Sequence, residues 1–487
     1  MINDKKKILI ERIKNILIVV LFLTTVLLLS FFWKDISLRD LSPINIAEKD
    51  ADLYVPETHD LIQPKNILFS FGSDTYTVKT GEESYGEGTV TDKIMELTDR
   101  YLSSASYAEQ IQADQYEEVM SYASVIMRFD YSIPAEEFFE ENDISCTANL
   151  NDLGSMTSIG FSPVSSENLL IRDRNTDIYY RITVSDESVA AELGEEVSAF
   201  ITSMEESDYI PYYYIADIVG VENDALMPLS MSSDLTEMKG TKEFSISDQA
   251  QANKIAAGFF ASGLDFVRKI TENKGSLLYM YGSSQSLIME GNGTMRYSET
   301  FDPSIYRQLG FYDSLENAVE YVSTHGKWES LYRNGCQPYL KMAYPITNSQ
   351  NSGYHFVFGM KKDGVTIEYS EGDIISADVF GDQITSYQRD VVVLSEERQE
   401  EKEVWDSVEP VNILTANYAK IGEVIGTSTF EEMAVRVESI KFCFIRDKQN
   451  DSLAIKPVWL ITVSGGSCFW FDPGTGELLG YISAEVK

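Results

Sequence analysis

The sequence predicts an α+β protein with a single N-terminal transmembrane helix followed by an extracytoplasmic region of several domains, in which antiparallel sheets pack against helices. Three observations predict this class. A long uncharged apolar run follows a basic N-terminus. Strand-like alternation and helix-like periodicity are mixed along the rest of the chain without a regular β-helix-β order. Hydrophobic residues make up 44% of the chain, which is enough for well-packed cores.

The apolar run covers residues 16–33. At about 1.5 Å per residue, a helix of this length just crosses a bilayer core of roughly 30 Å. Five basic side chains precede the run against two acidic ones, so the positive-inside rule predicts a cytoplasmic tail (1–14), a membrane helix (15–33) and an extracytoplasmic remainder. A cleaved signal peptide is the alternative, but the run is longer than a typical signal core and ends in Phe31-Phe32-Trp33 rather than in small residues.

The charge balance restricts the partners of the exterior. The first 33 residues carry five of the 39 basic and two of the 77 acidic side chains, which leaves 34 basic and 75 acidic side chains outside. Such a surface repels phosphates, so it argues against nucleic acid and anionic lipid as partners. The four cysteines are too few for a disulfide scaffold and lack metal-ligand spacing; only Cys443 and Cys468 share a local unit, and their pairing stays open.

A polar, proline-punctuated stalk is predicted at residues 34–65, and the first α+β domain at residues 66–240. The domain opens with a hairpin, because the turn Gly72-Ser-Asp74 separates two β-rich runs. Apolar residues then recur at helical spacing, and Asp114 is positioned to cap a second helix ending at Met120. The predicted elements are strands 67–71 and 75–78, helices 90–102 and 114–120, strand 125–134, hairpin 169–184 and helix 188–204.

The central α+β domain is predicted at residues 241–398. Ser247 or Asp248 can cap a helix that carries Ile255, Phe259 and Phe260. Ser314 opens a second helix in a near capping box. The predicted strands are 277–281, 286–289, 294–297, 354–358, 365–369, 374–379 and 384–394. The charged run 395–403 is interpreted either as a domain boundary or as a solvated helix face.

The C-terminal domain, residues 399–487, is predicted to be one helix packed on an antiparallel sheet. The helix covers residues 412–424, and the strands cover 435–445, 457–463, 467–471 and 478–482. A tight glycine turn is expected at residues 472–477. Its predicted core unites large side chains of both layers: Phe442, Phe444, Trp459 and Ile461 against Leu414, Tyr418 and Ile421.

No catalytic, cofactor-binding or metal-ligating residue can be nominated. The three histidines, His59, His325 and His355, have no His or Cys at ligand spacing, and surface or helix-end roles are favoured for them. Nucleophile-elbow, phosphate-loop and zinc-protease motifs do not occur. The glycines of residues 474–480 and the acidic run 173–177 are interpreted as hairpin turns rather than as dinucleotide and calcium sites, because their spacing departs from both motifs.

Six short runs stand out in this order along the chain: 64–67, 127–134, 293–297, 314–328, 343–345 and 386–389. Together they resemble the YycH family of membrane-anchored accessory proteins. The closing strands, with Pro457-Val-Trp459 and the turn 472–477, are similar to YycI and to PepSY-type domains.

This resemblance implies a non-enzymatic regulator of a cell-envelope two-component system, with no cofactor. The implied partners are a sensor histidine kinase and a YycI-like membrane protein, contacted outside the cell and through one membrane helix. The alternative is an anchored extracytoplasmic cell-wall enzyme or a PepSY-like peptidase inhibitor. A ligand-sensing function would require a deep pocket between domains.

Overall fold

The computed structural model describes residues 55–72, 74–80, 89–147, 153–207, 209–233, 235–261, 263–272, 275–395, 405–448 and 453–484. The predicted tail, membrane helix and most of the stalk lie outside these residues, as does nearly all of the charged run 395–403. Within the described ranges, no helix combines the length and the apolar character needed to span a bilayer. The domain boundaries at residues 66, 241 and 399 remain predictions.

The first part of the chain forms a nine-stranded antiparallel sheet in the order β3-β7-β6-β5-β4-β1-β2-β8-β9. Its strands are β1 (Asn66–Ser70), β2 (Tyr76–Lys79), β3 (Tyr107–Ile111), β4 (Ser124–Pro134), β5 (Ser155–Phe161), β6 (Asn168–Asp173), β7 (Ile178–Thr183), β8 (Pro211–Tyr214) and β9 (Leu226–Pro228). The two predicted hairpins are confirmed as β1-β2 and β6-β7.

Six helices of the described chain accompany this sheet: α1 (Thr58–Leu61), α2 (Val90–Ser103), α3 (Ala113–Met120), α4 (Ala135–Glu141), α5 (Glu187–Glu205) and α6 (Ile215–Val219). The predicted helices at 90–102 and 188–204 are confirmed as α2 and α5. The predicted cap of α3 is wrong. Gln112 is the N-cap, and its backbone N–H donates to the Gln115 side chain over 3.1 Å, whereas Asp114 already lies in the first turn.

The rest of the chain builds a fifteen-stranded mixed sheet. Its strands are β11 (Met238–Lys242), β12 (Arg268–Thr271), β13 (Leu277–Tyr281), β14 (Gln285–Met289), β15 (Met295–Glu299), β16 (Cys336–Asn348), β17 (Asn351–Lys362), β18 (Val365–Tyr369), β19 (Ile375–Phe380), β20 (Gln383–Arg389), β21 (Val392–Leu394), β23 (Val437–Arg446), β24 (Ala454–Val463), β25 (Ser467–Phe471) and β26 (Leu478–Ile482). Strands β10 (Ser232–Ser233) and β22 (Trp405–Asp406) form a separate pair.

One pairing in this sheet departs from the antiparallel prediction, because β18 and β23 run parallel, with Ile367 opposite Phe444. A parallel pair needs a long crossover connection, and here the chain passes through four strands and two helices between residues 375 and 434 before it returns. This pairing makes the central and C-terminal strands one continuous hydrogen-bonded sheet.

Four further helices lie in the described part of this region: α7 (Gln249–Ala257), α8 (Phe311–His325), α9 (Pro410–Ile425) and α10 (Phe430–Ala434). Asp248 is confirmed as the cap of α7, but the helix ends before Phe259 and Phe260, which are buried beyond its end. Helix α8 begins three residues before the predicted start; Gly310 is its N-cap, and Ser314 is buried one turn inside it.

The largest hydrophobic cluster runs from the first sheet into the central strands, and a second one lies beneath α9. The second cluster confirms the predicted contact of Trp459 and Ile461 with Leu414 and Ile421. The prediction that Phe444 belongs to this second cluster is wrong. Because β23 pairs with β18, Phe444 reaches the central core instead. Tyr418, also predicted to be buried, is 38% exposed and contacts Phe430 edge to face.

Candidate functional site

The three histidines occupy unrelated positions. His59 lies on α1, and its exposed ring is 3.2 Å from the Asp60 carboxylate. His325 ends α8, as predicted, and stacks on Tyr321 with ring centroids 3.8 Å apart; burial lowers the pKa of its imidazole, against the opposing effect of the Tyr321 carbonyl. His355 is 2.5 Å from Asp378 on the neighbouring strand. Nowhere in the described ranges do three or more His, Cys, Asp or Glu side chains converge as metal ligands.

The acidic run 173–177 and the glycines of residues 474–480 form hairpin turns, as predicted. In the β6-β7 turn, burial raises the pKa of the Asp173 carboxyl, but hydrogen bonds from Ser155, Ser132 and the Asn175 N–H outweigh it and lower the pKa overall. The second turn joins β25 to β26. The Gly476 N–H donates to the Asp472 carbonyl over 2.8 Å, with Gly476 at φ +73°, a conformation that favours glycine. Cys443 and Cys468, on the strands flanking β24, are not joined by a disulfide.

The charged groups buried in the second sheet hold its layers together. Arg389, fully buried on β20, makes two 2.7 Å bonds to the Glu243 carboxylate, and it also donates to the carbonyls of Gly326 and Lys327 at 2.9 and 2.8 Å. It thereby ties the sheet to the end of α8. No sequence motif marked Glu243, and the signals for Arg389 were its place within a predicted strand and in the run 386–389.

A second buried carboxylate joins three strands. Glu368 on β18 accepts hydrogen bonds from Lys341 on β16 and Lys441 on β23, at 2.5 and 2.6 Å. Burial raises the pKa of Glu368, but the two ammonium groups outweigh burial and lower the pKa to about 2. Glu368 therefore stays ionised, and the cluster is a structural tie across the parallel pair rather than a proton-transfer site.

The candidate site is a cavity of about 890 Å³ at the junction of the two large sheets. We call it the junction groove. Its lining residues come from six elements and the segments beside them, namely α1, α2, β4, α4, the first turn of α8, and the start of β16 with the turn before it: His59, Asp60, Ile62, Gln63, Pro64, Thr91, Asp92, Met95, Met127, Phe129, Phe138, Asn142, Tyr312, Tyr332, Gly335, Cys336, Gln337 and Pro338.

Direct contacts hold the two sides of the junction groove in place. The Glu137 carboxylate of α4 accepts the Tyr312 backbone N–H at the start of α8. The rings of Tyr131 and Phe311 stack at 6.5 Å, and Lys361 donates to the Gln63 side chain over 2.8 Å. Because these contacts are buried or partly buried, the groove is preformed by packing of the first sheet against the second.

The lining of the junction groove suits binding. Met127, Phe129 and Phe138 are buried and form its inner wall, while His59, Asp60 and Asp92 are exposed at its rim. Burial, with the nearby Glu141 and Glu137 carboxylates, raises the pKa of Tyr312, so its phenol stays protonated. A second, shallower hollow of about 710 Å³ lies along α5, where small residues such as Ala199 face outward.

Architecture and site together define an α+β protein of two large sheets, with a preformed groove where they meet. This two-sheet architecture is similar to the fold of YycH. The crystal structure of YycH from Bacillus subtilis matches over 85% of this chain and 96% of that chain, with a TM-score of 0.51 and 13% sequence identity. No family model matches the sequence, and neither does any curated protein. The YycH-like fold expected from the short sequence runs is confirmed.

Proposed function

We propose that this protein is a non-enzymatic, membrane-anchored regulator of a cell-envelope two-component system. The observation that carries the proposal is the YycH-like fold, which accounts for 96% of the solved YycH chain rather than for one common module. The apolar run 16–33, preceded by basic residues, supports the anchor and an extracytoplasmic location for the remainder.

The site chemistry supports a binding role over catalysis. The partly buried Glu243 and the buried Glu368 carboxylates are neutralised by arginine and lysine in structural ties. The junction groove combines apolar walls with a few polar rim groups, which is the composition of a binding site. We therefore infer that the exterior acts through protein contacts, with a sensor histidine kinase and a YycI-like membrane protein as partners.

Co-purification tests the proposal directly. The full chain, tagged at its C-terminus and extracted from native membranes in mild nonionic detergent, is expected to recover a sensor histidine kinase identified by mass spectrometry. A variant with residues 16–33 replaced by an unrelated apolar helix of equal length serves as the matched control, and it should recover less kinase. Absence of any kinase from the parent sample would contradict the proposal, as would turnover of peptidoglycan or peptide substrates by the purified chain.

A further inference from the structure

The junction groove has the size and position of a ligand site. Its volume of about 890 Å³ lies within the range of roughly 300 to 1,000 Å³ that is usual for ligand pockets. Ligand sites also favour places where separately packed units meet, and this groove lies between the first sheet, α8 and β16. Its partly exposed lining side chains Met95, Tyr312 and Tyr332 offer apolar surface to an occupant.

The carboxylates that line the groove are not balanced by basic side chains in the lining. None of its lining residues is lysine or arginine, whereas Asp60 and Asp92 stand at its rim. The Asp92 carboxylate accepts the Thr89 N–H at 3.1 Å, and Asp60 faces the His59 ring. Two lysines lie close by, but Lys361 is bonded to Gln63, and Lys362 to Asp363. With 77 acidic and 39 basic residues in the whole chain, the wider field has the same sign.

This combination selects the chemistry of the occupant. An anionic group would meet two rim carboxylates and no lysine or arginine in the lining, so phosphates and free carboxylates are disfavoured. Large apolar side chains can pack on the partly exposed Met95, and a cation can meet both the rim carboxylates and the aromatic rings of Tyr312 and Tyr332. We propose that the junction groove binds a short peptide segment of a partner protein in which lysine or arginine stands beside large apolar residues.

The occupant is a peptide segment because the groove opens to solvent at a rim of exposed side chains and is lined by six different elements, rather than closed around a small molecule. A basic segment also gains from the acidic field during encounter, since complementary charge accelerates association. The proposal does not depend on the identity of the partner, and it would stand if the regulatory function proposed above were replaced.

Selection from a random dodecapeptide phage library on the purified full chain in nonionic detergent tests the proposal. We expect the enriched peptides to carry lysine or arginine next to Leu, Phe, Trp or Met. Synthesised with a fluorophore, they should bind saturably in fluorescence anisotropy. Asp60→Lys reverses a rim charge on an exposed side chain, and Thr91→Trp fills the groove from α2. Each is expected to weaken binding at least tenfold.

Two variants serve as matched controls. Glu57→Lys makes the same charge change at the exposed N-cap of α1, outside the groove, and Ala199→Trp adds the same bulk in the α5 hollow. Both should bind within twofold of the parent, and thermal melting checks that every variant is folded. The proposal is overturned if no peptide is enriched, if the enriched peptides are acidic or purely polar, or if both groove variants bind as tightly as their controls.

Discussion

The carboxylate of Glu137 accepts a hydrogen bond of 3.1 Å from the backbone N–H of Tyr312, so that α4 caps the start of α8 from a position 175 residues earlier in the chain. Gly310, the N-cap of α8, has no side chain with which to satisfy the free N–H groups of the first turn. The negative charge of Glu137 also lies at the positive end of the helix dipole. One side chain thus stabilises both a helix and the junction beside the groove.

Removing this cap should destabilise the protein measurably. We expect Glu137→Ala to lower the free energy of unfolding by roughly 0.5 to 2 kcal/mol, the usual cost of a lost N-cap side chain. Urea unfolding followed by circular dichroism measures it. The exposed neighbour Glu136, substituted in the same way, is the control and should change stability far less. Equal effects of the two substitutions would show that the long-range cap contributes nothing.

Trp459 is predicted to be the main anchor of the C-terminal core. Its side chain is fully buried and contacts Phe442 edge to face at 5.4 Å. Trp459→Ala should therefore cost about 3 to 5 kcal/mol through lost burial and the cavity that remains. The Trp459 indole N–H has no hydrogen-bond partner in the structure, so Trp459→Phe, which removes that group and keeps an aromatic ring, should cost less.

Thermal and urea unfolding of both variants test this order of effects. Leu479→Ala, at a position 42% exposed on β26, is a control for truncation at the surface. An unchanged melting temperature for Trp459→Ala would contradict a core role. If Trp459→Phe proved as costly as Trp459→Ala, the indole would contribute by a contact other than the packing described.

Stability should depend on pH through Glu368. Its pKa is about 2 in the folded protein against an ordinary 4.5, because Lys441 and Lys341 outweigh the effect of burial. A carboxyl whose pKa is lowered on folding contributes stability that is fully present above about pH 4.5 and is lost as the pH falls toward 2. Glu368→Gln should therefore lower stability at neutral pH and reduce the loss of stability over that acidic window.

Urea unfolding of dilute protein at several pH values between 2 and 7 measures this contribution. Glu371→Gln, at an exposed position nearby, is the control and should leave the pH profile close to that of the parent. An unaltered acid slope in Glu368→Gln would mean that the lysine cluster does not stabilise the ionised carboxyl.

Removing only one partner of the Arg389–Glu243 ion pair should lower the free energy of unfolding strongly. Arg389→Met removes the guanidinium that neutralises the Glu243 carboxylate and that donates to the carbonyls of Gly326 and Lys327, and loss of one partner of a buried pair costs about 3 to 5 kcal/mol. Arg296 lies on the adjacent strand β15, and Arg296→Met, which breaks its more exposed ion pair with Glu290, should cost about 1 kcal/mol or less. Comparable losses in the two variants would contradict a buried structural role for Arg389.

Local patterns in the sequence determined most of the elements. The β1-β2 hairpin follows from its turn residues, α2 from its apolar spacing, and the β25-β26 turn from the glycine at position 476. In each case the deciding interactions are only a few residues apart, so the pattern that favours the element is contained in the sequence itself.

Contacts between distant segments were decided only by the tertiary structure. Glu137 caps α8 from 175 residues away, and Phe444 lies in the central core because β23 runs parallel to β18. The junction groove is of the same kind, since its wall residues belong to six elements and acquire a common surface only when the two sheets pack. A sequence pattern records which face of an element is apolar, but which faces meet depends on the path of the whole chain.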